Sequence, residues 1–211
     1  MRQFRNVSAA VVLACAAAFA PGYAQADANG AAAASAEHGA ATTFVRSLID
    51  DLGALVSEAP EGSAARSEGL ADILAQRIAT RRMQGFVLSS AARDSATPEQ
   101  LAAYDRLFED YISVVWAKSI DQLVSRRIDL DDARQRKANE WVVSSKIFNK
   151  EGQPRADIYW QVLDVEGELK LVNVTVRGQS FASDLRAQFS ALVKNEGFDE
   201  LIAHMESVLV G

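Results

Sequence analysis

The segment that comes closest to a catalytic motif is Gly178-Gln179-Ser180-Phe181-Ala182. It nearly matches Gly-x-Ser-x-Gly, the nucleophile elbow in which a strand-to-helix turn exposes a serine hydroxyl. A serine hydrolase also needs a histidine base. The one histidine after Ser180 is His204, and the surrounding strands are predicted to be antiparallel, whereas the elbow belongs to a mainly parallel sheet. We therefore predict that Ser180 is a turn or helix-capping residue rather than a nucleophile.

The sequence has few residues that could support metal or thiol chemistry. The 211 residues include two histidines and one cysteine, Cys15, which are too few for a zinc site or a disulfide framework. Asp129, Asp131 and Asp132 lie close together but lack the glycine and the distal glutamate of a calcium loop, so we predict a turn there. We expect no cofactor and no metal.

The charge balance is acidic, with 22 Lys+Arg against 28 Asp+Glu. Nucleic acid is not an expected partner, because phosphate-backbone binding needs clustered Lys and Arg and no long basic run is present. Arg77, Arg81 and Arg82 fall within two helical turns and are suited to contact a lipid phosphate or an acidic partner. The usual behaviour of charged helix faces favours a solvated face for the same three residues.

The first 26 residues have the pattern of a secretory signal peptide. Arg2 and Arg5 precede an apolar run over 7–20 that is too short to span a bilayer, and the small-residue site Ala24-Gln25-Ala26 follows. Cleavage after Ala26 would leave 20 basic and 28 acidic residues, a net charge of −8, and no thiol. The alternative is a lipoprotein box in which Cys15 is acylated and tethers the chain to a membrane.

The remaining chain divides into a leader over 27–41 and a domain over 42–211. The leader is rich in Ala, Gly and Ser without a periodic apolar face, so we predict that it is flexible. Apolar residues then recur at helical spacing over 44–56 and 70–78, and the segment 81–88 is either the end of the second helix or a third, short helix. Thr97-Pro98-Glu99-Gln100 is a capping box that predicts a helix reaching about Lys118.

After Leu123 the apolar period changes from 3.6 to 2, which indicates strands. Four are predicted, over 124–130, 139–148, 155–165 and 169–176, and their short turns favour an antiparallel meander. Two amphipathic helices, about 180–195 and 198–209, complete an α+β fold. Apolar residues occupy both alternating sets of strand positions, so we expect both faces of the sheet to be substantially covered.

Two parts of the sequence, in their order and spacing, resemble the MlaC family, also called the toluene-tolerance auxiliary proteins. The first is Ala96-Thr97-Pro98-Glu99-Gln100 with the aromatic-rich helix that it opens. The second runs from Gly167 to Ser180 and continues with Arg186-Ala187-Gln188-Phe189 and the segment 197–202. The resemblance covers roughly residues 44–208.

This resemblance implies a monomeric, non-enzymatic carrier in the periplasm that encloses the acyl chains of a phospholipid in an apolar cavity. It also implies two membrane partners: an inner-membrane ABC transporter complex with an MCE protein, and an outer-membrane lipoprotein–porin complex. Such carriers serve the lipid asymmetry of the outer membrane.

A lipid carrier must keep acyl chains out of water. Exposing two chains of about 15 methylenes each costs on the order of 24 kcal/mol, at ~0.8 kcal/mol per methylene. The cavity should be near or above ~1,000 Å³, the upper end of ordinary ligand sites. Candidate lining residues are large apolar side chains of helices and strands, which are equally compatible with a solid core: Leu107, Tyr111, Trp116, Trp141, Ile158, Trp160, Val162, Val174, Phe181 and Leu185. Arg81 and Arg186 are candidates for headgroup contact or for structural ion pairs.

Three other functions are open at this point. The same fold could carry another apolar lipid such as a hopanoid. A small α+β enzyme with a pocket would need Ser180 or His204 for turnover. An adaptor of a membrane complex would have a filled core and no extractable ligand.

Overall fold

The computed structural model describes residues 22–124 and 126–210. The chain divides into two units between Ser35 and Ala36, and the sheet, the core and the cavity belong to the second. The predicted signal peptide, including Cys15, falls mostly on residues 1–21, which lie outside the described residues. None of the helices in the described part of the chain combines the length and the apolarity that a membrane span requires.

Seven helices and five strands are present in the described residues. The helices are α1 (Gly22–Glu58), α2 (Ala64–Arg77), α3 (Thr80–Val87), α4 (Ser90–Ser95), α5 (Pro98–Val124), α6 (Phe181–Glu196) and α7 (Phe198–Val210). The strands are β1 (Ile128–Lys137), β2 (Glu140–Phe148), β3 (Pro154–Val165), β4 (Glu168–Val176) and β5 (Gln179–Ser180). This is the predicted α+β layout of helices, then an antiparallel sheet, then two helices.

Helix α1 is longer than the apolar pattern predicts. Its described part runs from Gly22, so the segment 27–41, whose composition indicates a flexible leader, is helical in the structure. Alanine has the highest helix propensity of the residues, so an Ala-rich segment forms a helix without an apolar face. Among the described side chains of α1, burial in the core begins at Ala41 and continues at Val45, Leu48 and Leu52.

Polar residues fix the helix starts. The predicted capping box at α5 is confirmed: the Thr97 backbone N–H donates to Gln100 Oε1 at 2.9 Å, and the Gln100 N–H donates to Thr97 Oγ1 at 3.3 Å. Ser63 accepts from the Arg66 N–H at the start of α2. Each contact pairs a backbone N–H that has no partner within its own helix.

The five strands form one antiparallel sheet in the order β1-β2-β3-β4-β5. The fifth strand, β5, is only two residues long and was absent from the predicted meander of four. The first strand also differs: it spans Ile128–Lys137 rather than 124–130, so Asp129, Asp131 and Asp132 lie in a strand and not in a turn. A shift of register between Leu130 and Ala133 accommodates the last two of these aspartates as a bulge.

The sheet buries one face and not both. Val143 pairs with Trp160, which pairs in turn with Val174, and all three are buried in the same core as the helices. On the opposite face of β3, Tyr159 is 42% exposed and Gln161 is half-buried. The expectation that both faces are covered is therefore wrong. Apolar side chains on the outer face are at best half-buried, since the helices pack against the other face.

Aromatic side chains join the last three helices. Tyr104 of α5 lies 5.4 Å from Phe108 and 6.4 Å from Phe198 of α7, measured between ring centroids. Tyr111 lies 5.5 Å from Phe189 of α6. These edge-to-face and tilted contacts build a solid part of the core between α5, α6 and α7.

Candidate functional site

A cavity of about 480 Å³ opens at one end of the sheet. It lies where β2 and β4 end and β3 begins, and the C-terminal half of α5 and the first turn of α6 close it. Its walls are mainly apolar and consist of Val115, Trp116, Leu123, Ile147, Ala156, Ile158, Val174, Val176 and Phe181. Its polar lining residues are Arg126, Arg155, Arg177, Gln179 and Asp184.

The register of β2, β3 and β4 determines which strand residues line the cavity. Ile147 of β2 pairs with Ala156 of β3, and Ile158, two residues further along β3, pairs with Val176 of β4. Because side chains two residues apart on a strand point to the same face, these four side chains form one continuous apolar surface.

Two aromatic rings form the helical side of the cavity. The Trp116 indole of α5 meets the Phe181 ring of α6 edge to face, with centroids 5.9 Å apart and planes at 80°. Trp116 is only 9% exposed, and its indole Nε1 is buried without a hydrogen-bond acceptor among the described residues. The helical wall is therefore apolar apart from this indole N–H.

The turn between β4 and α6 fixes the position of Phe181. Arg177 and Gly178 form a two-residue turn with positive φ at both positions, +52° and +79°, the geometry of a type I′ hairpin. Ser180 then caps α6: its Oγ accepts from the Ser183 N–H at 3.3 Å. This bond confirms Ser180 as a capping residue. The Asn173 side chain of β4 also hydrogen-bonds to the same hydroxyl.

The structure separates the predicted lining residues into two groups. Four of them, Trp116, Ile158, Val174 and Phe181, line the cavity. The other six lie outside its lining: Leu107 is half-buried, and the remaining five are buried in the core, namely Tyr111, Trp141, Trp160, Val162 and Leu185. The cavity is consequently about half of the ~1,000 Å³ expected for two acyl chains, because large side chains of the sheet fill the rest of the interior.

A buried hydrogen bond shows how one of these side chains is fixed in the core. Trp160 Nε1 donates to Ser145 Oγ at 2.9 Å, and both residues are at most 1% exposed. The serine hydroxyl donates in turn toward the Ile158 carbonyl at 3.4 Å. A paired indole is stable in the interior, so Trp160 is a structural residue beside the cavity.

The arginines chosen from the sequence do not line the cavity. Arg186 Nη1 donates to the Phe86 carbonyl, and its guanidinium lies 5.1 Å from the centroid of the Phe86 ring. This contact joins α6 to α3, so Arg186 has a structural role, although its partner is a carbonyl and a ring rather than an acid. Arg81 is exposed on α3. Arg77 pairs with Asp51 at 2.7 Å.

Sequence reasoning missed the three arginines that do line the cavity, Arg126, Arg155 and Arg177. They are 29 and 22 positions apart in the sequence, and only the strand register brings them to one end of the sheet. Two signs were available: Arg155 is the first residue of the predicted strand 155–165, and Arg177 directly follows the predicted strand 169–176. A residue at a strand end lies at the end of the sheet.

The residues that resemble a hydrolase site are not assembled into one. The Ser180 hydroxyl is occupied by Asn173 and by the α6 cap, and His204 is exposed on α7, with its ring 6.1 Å from that of Tyr111. Neither side chain lines the cavity. Within the described residues, no three metal-ligating side chains cluster as a metal site would require.

Comparison with known protein families identifies the family of this domain. The family described as "MlaC protein" matches residues 43–207, a range that includes every element around the cavity. The chain belongs to the MlaC family. The resemblance seen in the sequence is thereby confirmed, and the cavity is a feature of a MlaC domain.

A solved structure with the same fold comes from Ralstonia solanacearum. It is described as a phospholipid-binding protein in complex with a phospholipid, and it matches this MlaC-family chain with a TM-score of 0.63 at 18% sequence identity. The match covers 81% of this chain and 97% of the Ralstonia chain. No curated protein matches the chain.

Proposed function

We propose that this MlaC-family protein binds a phospholipid and holds an acyl chain in the apolar cavity, with the headgroup at the open end. The observation that carries the proposal is the cavity itself, whose walls are formed by nine apolar side chains and whose charged residues are arginines and one aspartate. Membership of the family and the shared fold of the Ralstonia phospholipid-binding protein support the choice of ligand.

The size of the cavity sets how much lipid fits. A group the size of a water molecule occupies about 30 Å³, and a methylene is of similar size, so about 480 Å³ accommodates roughly 16 such groups. That is one acyl chain of ordinary length. A second chain requires the neighbouring core to repack. Four side chains lie at that boundary because they belong both to the core and to the cavity wall, and the largest of them is Trp116; the others are Ile147, Ile158 and Val174.

The hydrophobic effect retains the lipid. Burying one acyl chain of about 15 methylenes contributes on the order of 12 kcal/mol to the free energy of binding, at ~0.8 kcal/mol per methylene. No polar interaction at the mouth is needed to keep the chain out of water. A second cavity of about 600 Å³ surrounds the β2–β3 turn, but its lining includes Arg127, Lys150 and Glu151 and does not suit an acyl chain.

We further propose the carrier role that the family resemblance implies. The protein would be exported by its signal peptide, act as a monomer in the periplasm without a cofactor or catalysis, and pass lipid between the inner-membrane MCE/ABC transporter complex and the outer-membrane lipoprotein–porin complex. The net charge of −8 after cleavage supports this role. Anionic membranes repel an acidic protein, which favours release and docking on protein partners over adsorption.

Extraction of the purified protein tests the ligand. The full chain is expressed in a Gram-negative host, recovered from the periplasmic fraction and extracted with organic solvent, and the extract is analysed by mass spectrometry. We expect phospholipid at about one molecule per chain. A terpenoid instead of phospholipid would favour a hopanoid carrier, and an empty protein would favour an adaptor.

The same preparation tests export. We expect the mature protein to begin at Asp27, as determined by N-terminal sequencing. A chain retained in the membrane fraction with an acylated Cys15 would contradict the predicted cleavage.

A further inference from the structure

Three arginines stand together at the mouth of the cavity. Arg126 lies between α5 and β1, Arg155 is the second residue of β3, and Arg177 is in the turn after β4. All three are exposed, and all three line the cavity. The apolar walls therefore end in a cationic rim.

Backbone hydrogen bonds fix this juxtaposition. The Phe148 N–H at the end of β2 donates to the Arg127 carbonyl at 2.9 Å, which places the segment containing Arg126 beside the end of β2. Phe148 pairs with Pro154, the residue before Arg155. The Arg177 N–H donates to the Asp157 carbonyl of β3 at 3.2 Å. Three neighbouring chain segments thus hold the arginines at one end of the sheet.

The guanidinium groups at this rim have no side-chain partner among the residues that the structure describes. None of the three forms an ion pair or a side-chain hydrogen bond with another side chain of the described residues. Other arginines are engaged: Arg77 with Asp51, and Arg127 with Asp129 at 2.8 Å.

The rim is positive on an acidic protein. Its one carboxylate, Asp184, leaves an excess of two positive charges at the mouth, whereas the chain carries a net charge of −6. Like charges gathered without partners destabilise a surface slightly, so their position next to an apolar cavity points to an anion bound there. Guanidinium groups are well suited to this task, because their planar forks donate paired hydrogen bonds to phosphate oxygens.

We propose that Arg126, Arg155 and Arg177 bind the phosphate of the lipid whose acyl chain occupies the cavity. This inference rests on the proposed function for the acyl chain and adds a selection rule. The protein prefers acyl lipids that carry a phosphate over uncharged lipids with the same chains. An uncharged diacylglycerol can fill the cavity but gains nothing from the rim.

The rim is preorganised for this contact. Arg177 lies in a two-residue turn closed by the pairing of Val176 with Gln179. Arg155 lies between Pro154 and Ala156, which both pair with β2, so neither backbone has to be ordered on binding. A ligand group held by rigid elements loses less binding free energy to ordering than one held by a mobile loop.

The test compares two lipids with the same acyl chains, phosphatidylglycerol and diacylglycerol. The delipidated mature protein is titrated with each, and binding is followed by tryptophan fluorescence, since Trp116 lines the cavity. We expect phosphatidylglycerol to bind at least about tenfold more tightly, since a 1.4 kcal/mol difference is tenfold and one charge-assisted hydrogen bond supplies that much. Raising the salt concentration should reduce this preference and leave diacylglycerol affinity unchanged.

Arginine variants test whether the rim causes the preference for phosphatidylglycerol over diacylglycerol. The triple variant R126Q/R155Q/R177Q should lose about tenfold or more in phosphatidylglycerol affinity while its diacylglycerol affinity stays within about twofold. The matched control is R106Q, because Arg106 is exposed on α5 and does not line the cavity. Equal urea-unfolding midpoints show that the variants are folded, and the salt dependence of the unmodified protein gives an independent result if they are not.

Three outcomes would overturn the proposal. Equal affinity of the unmodified protein for both lipids, without salt dependence, would remove the selection rule and leave the proposed acyl-chain binding intact. Failure to bind either lipid would contradict the proposed function as well. Glycerol 3-phosphate binding as tightly as phosphatidylglycerol would identify a free phosphate site that does not depend on an acyl chain.

Discussion

Asn173 Nδ2 donates a hydrogen bond of 3.0 Å to Ser180 Oγ, so a strand side chain joins the residue that caps the next helix. Asn173 Oδ1 also accepts from the Ala182 N–H at 3.1 Å. Phe181 lies between these two anchored residues, and its ring closes the helical side of the cavity. The position of the cavity wall therefore depends on one amide side chain of β4.

Asn173→Ala removes this anchor. We expect the free energy of unfolding to fall by about 1–2 kcal/mol, since the variant loses hydrogen bonds to the Ser180 hydroxyl and to one N–H of the first turn of α6. The midpoint of urea unfolding measures the change. Ser183→Ala is the control, because only the backbone N–H of Ser183 takes part in the cap. Equal midpoints for the two variants would contradict the anchoring role.

Ser145→Ala leaves the Trp160 indole N–H without its acceptor in the core. A buried donor without a partner costs about 1–3 kcal/mol, so we expect a loss of that size in the free energy of unfolding. Ser144→Ala is the matched control, since Ser144 is half-buried on the other face of β2. Urea unfolding of both variants gives the comparison, and a loss for Ser144→Ala as large as for Ser145→Ala would argue against the hydrogen bond.

Ala156→Phe fills the cavity from the sheet side. Ala156 is half-buried and lines the cavity between Ile147 and Ile158, so a phenyl ring occupies space that the acyl chain needs. We expect several-fold less phospholipid per chain in organic extracts, without loss of the folded state. Ala138→Phe makes the same change at an exposed position in the β1–β2 turn and should retain normal lipid content. Unchanged lipid in Ala156→Phe would place the acyl chain elsewhere.

Two tyrosines predict a loss of stability at alkaline pH. Burial raises the pKa of Tyr104 and of Tyr111 above the ordinary value of 10.0. Their stabilising contribution is complete below pH 10, where the unfolded chain keeps both phenols protonated. It is lost as pH rises above 10, because the unfolded chain then releases protons that the folded protein retains.

The expected slope can be measured and assigned. Each phenol that stays protonated in the folded protein lowers the free energy of unfolding by up to about 1.4 kcal/mol per pH unit above pH 10. Urea unfolding at pH 9, 10 and 11 measures the slope. Tyr104→Phe should reduce it and should also lower stability at pH 7, because the Tyr104 hydroxyl donates to the Gln84 carbonyl at 3.0 Å. An unchanged slope in this variant would mean that Tyr104 ionises as readily when folded.

The elements with local signals were predictable from the sequence. The capping box at Thr97 starts α5 as expected, and strands β2, β3 and β4 lie within one residue of their predicted limits. Strand β1 was misplaced because it is a charged edge strand with one buried position, Ala133, so it lacks apolar alternation. The helical leader was missed because alanine stabilises a helix without leaving a periodic pattern.

The cavity was less predictable than the fold. Trp116 and Trp160 are both large apolar residues of the interior, yet one lines the cavity and the other is hydrogen-bonded in the solid core. Composition cannot distinguish them, because a cavity wall and a packed core require the same residue types. The arginine rim depends on strand register over residues 126–177, which no local motif in this sequence specifies.

Photo-crosslinking tests most directly whether the acyl chain occupies this cavity. The delipidated protein is loaded with phosphatidylglycerol that carries a diazirine near the end of one acyl chain, irradiated and digested, and the modified residues are identified by tandem mass spectrometry. The account predicts adducts on Trp116, Ile158 and Phe181, which line the cavity. Adducts confined to exposed apolar residues such as Phe86 and Val210, with none on the three cavity residues, would contradict it.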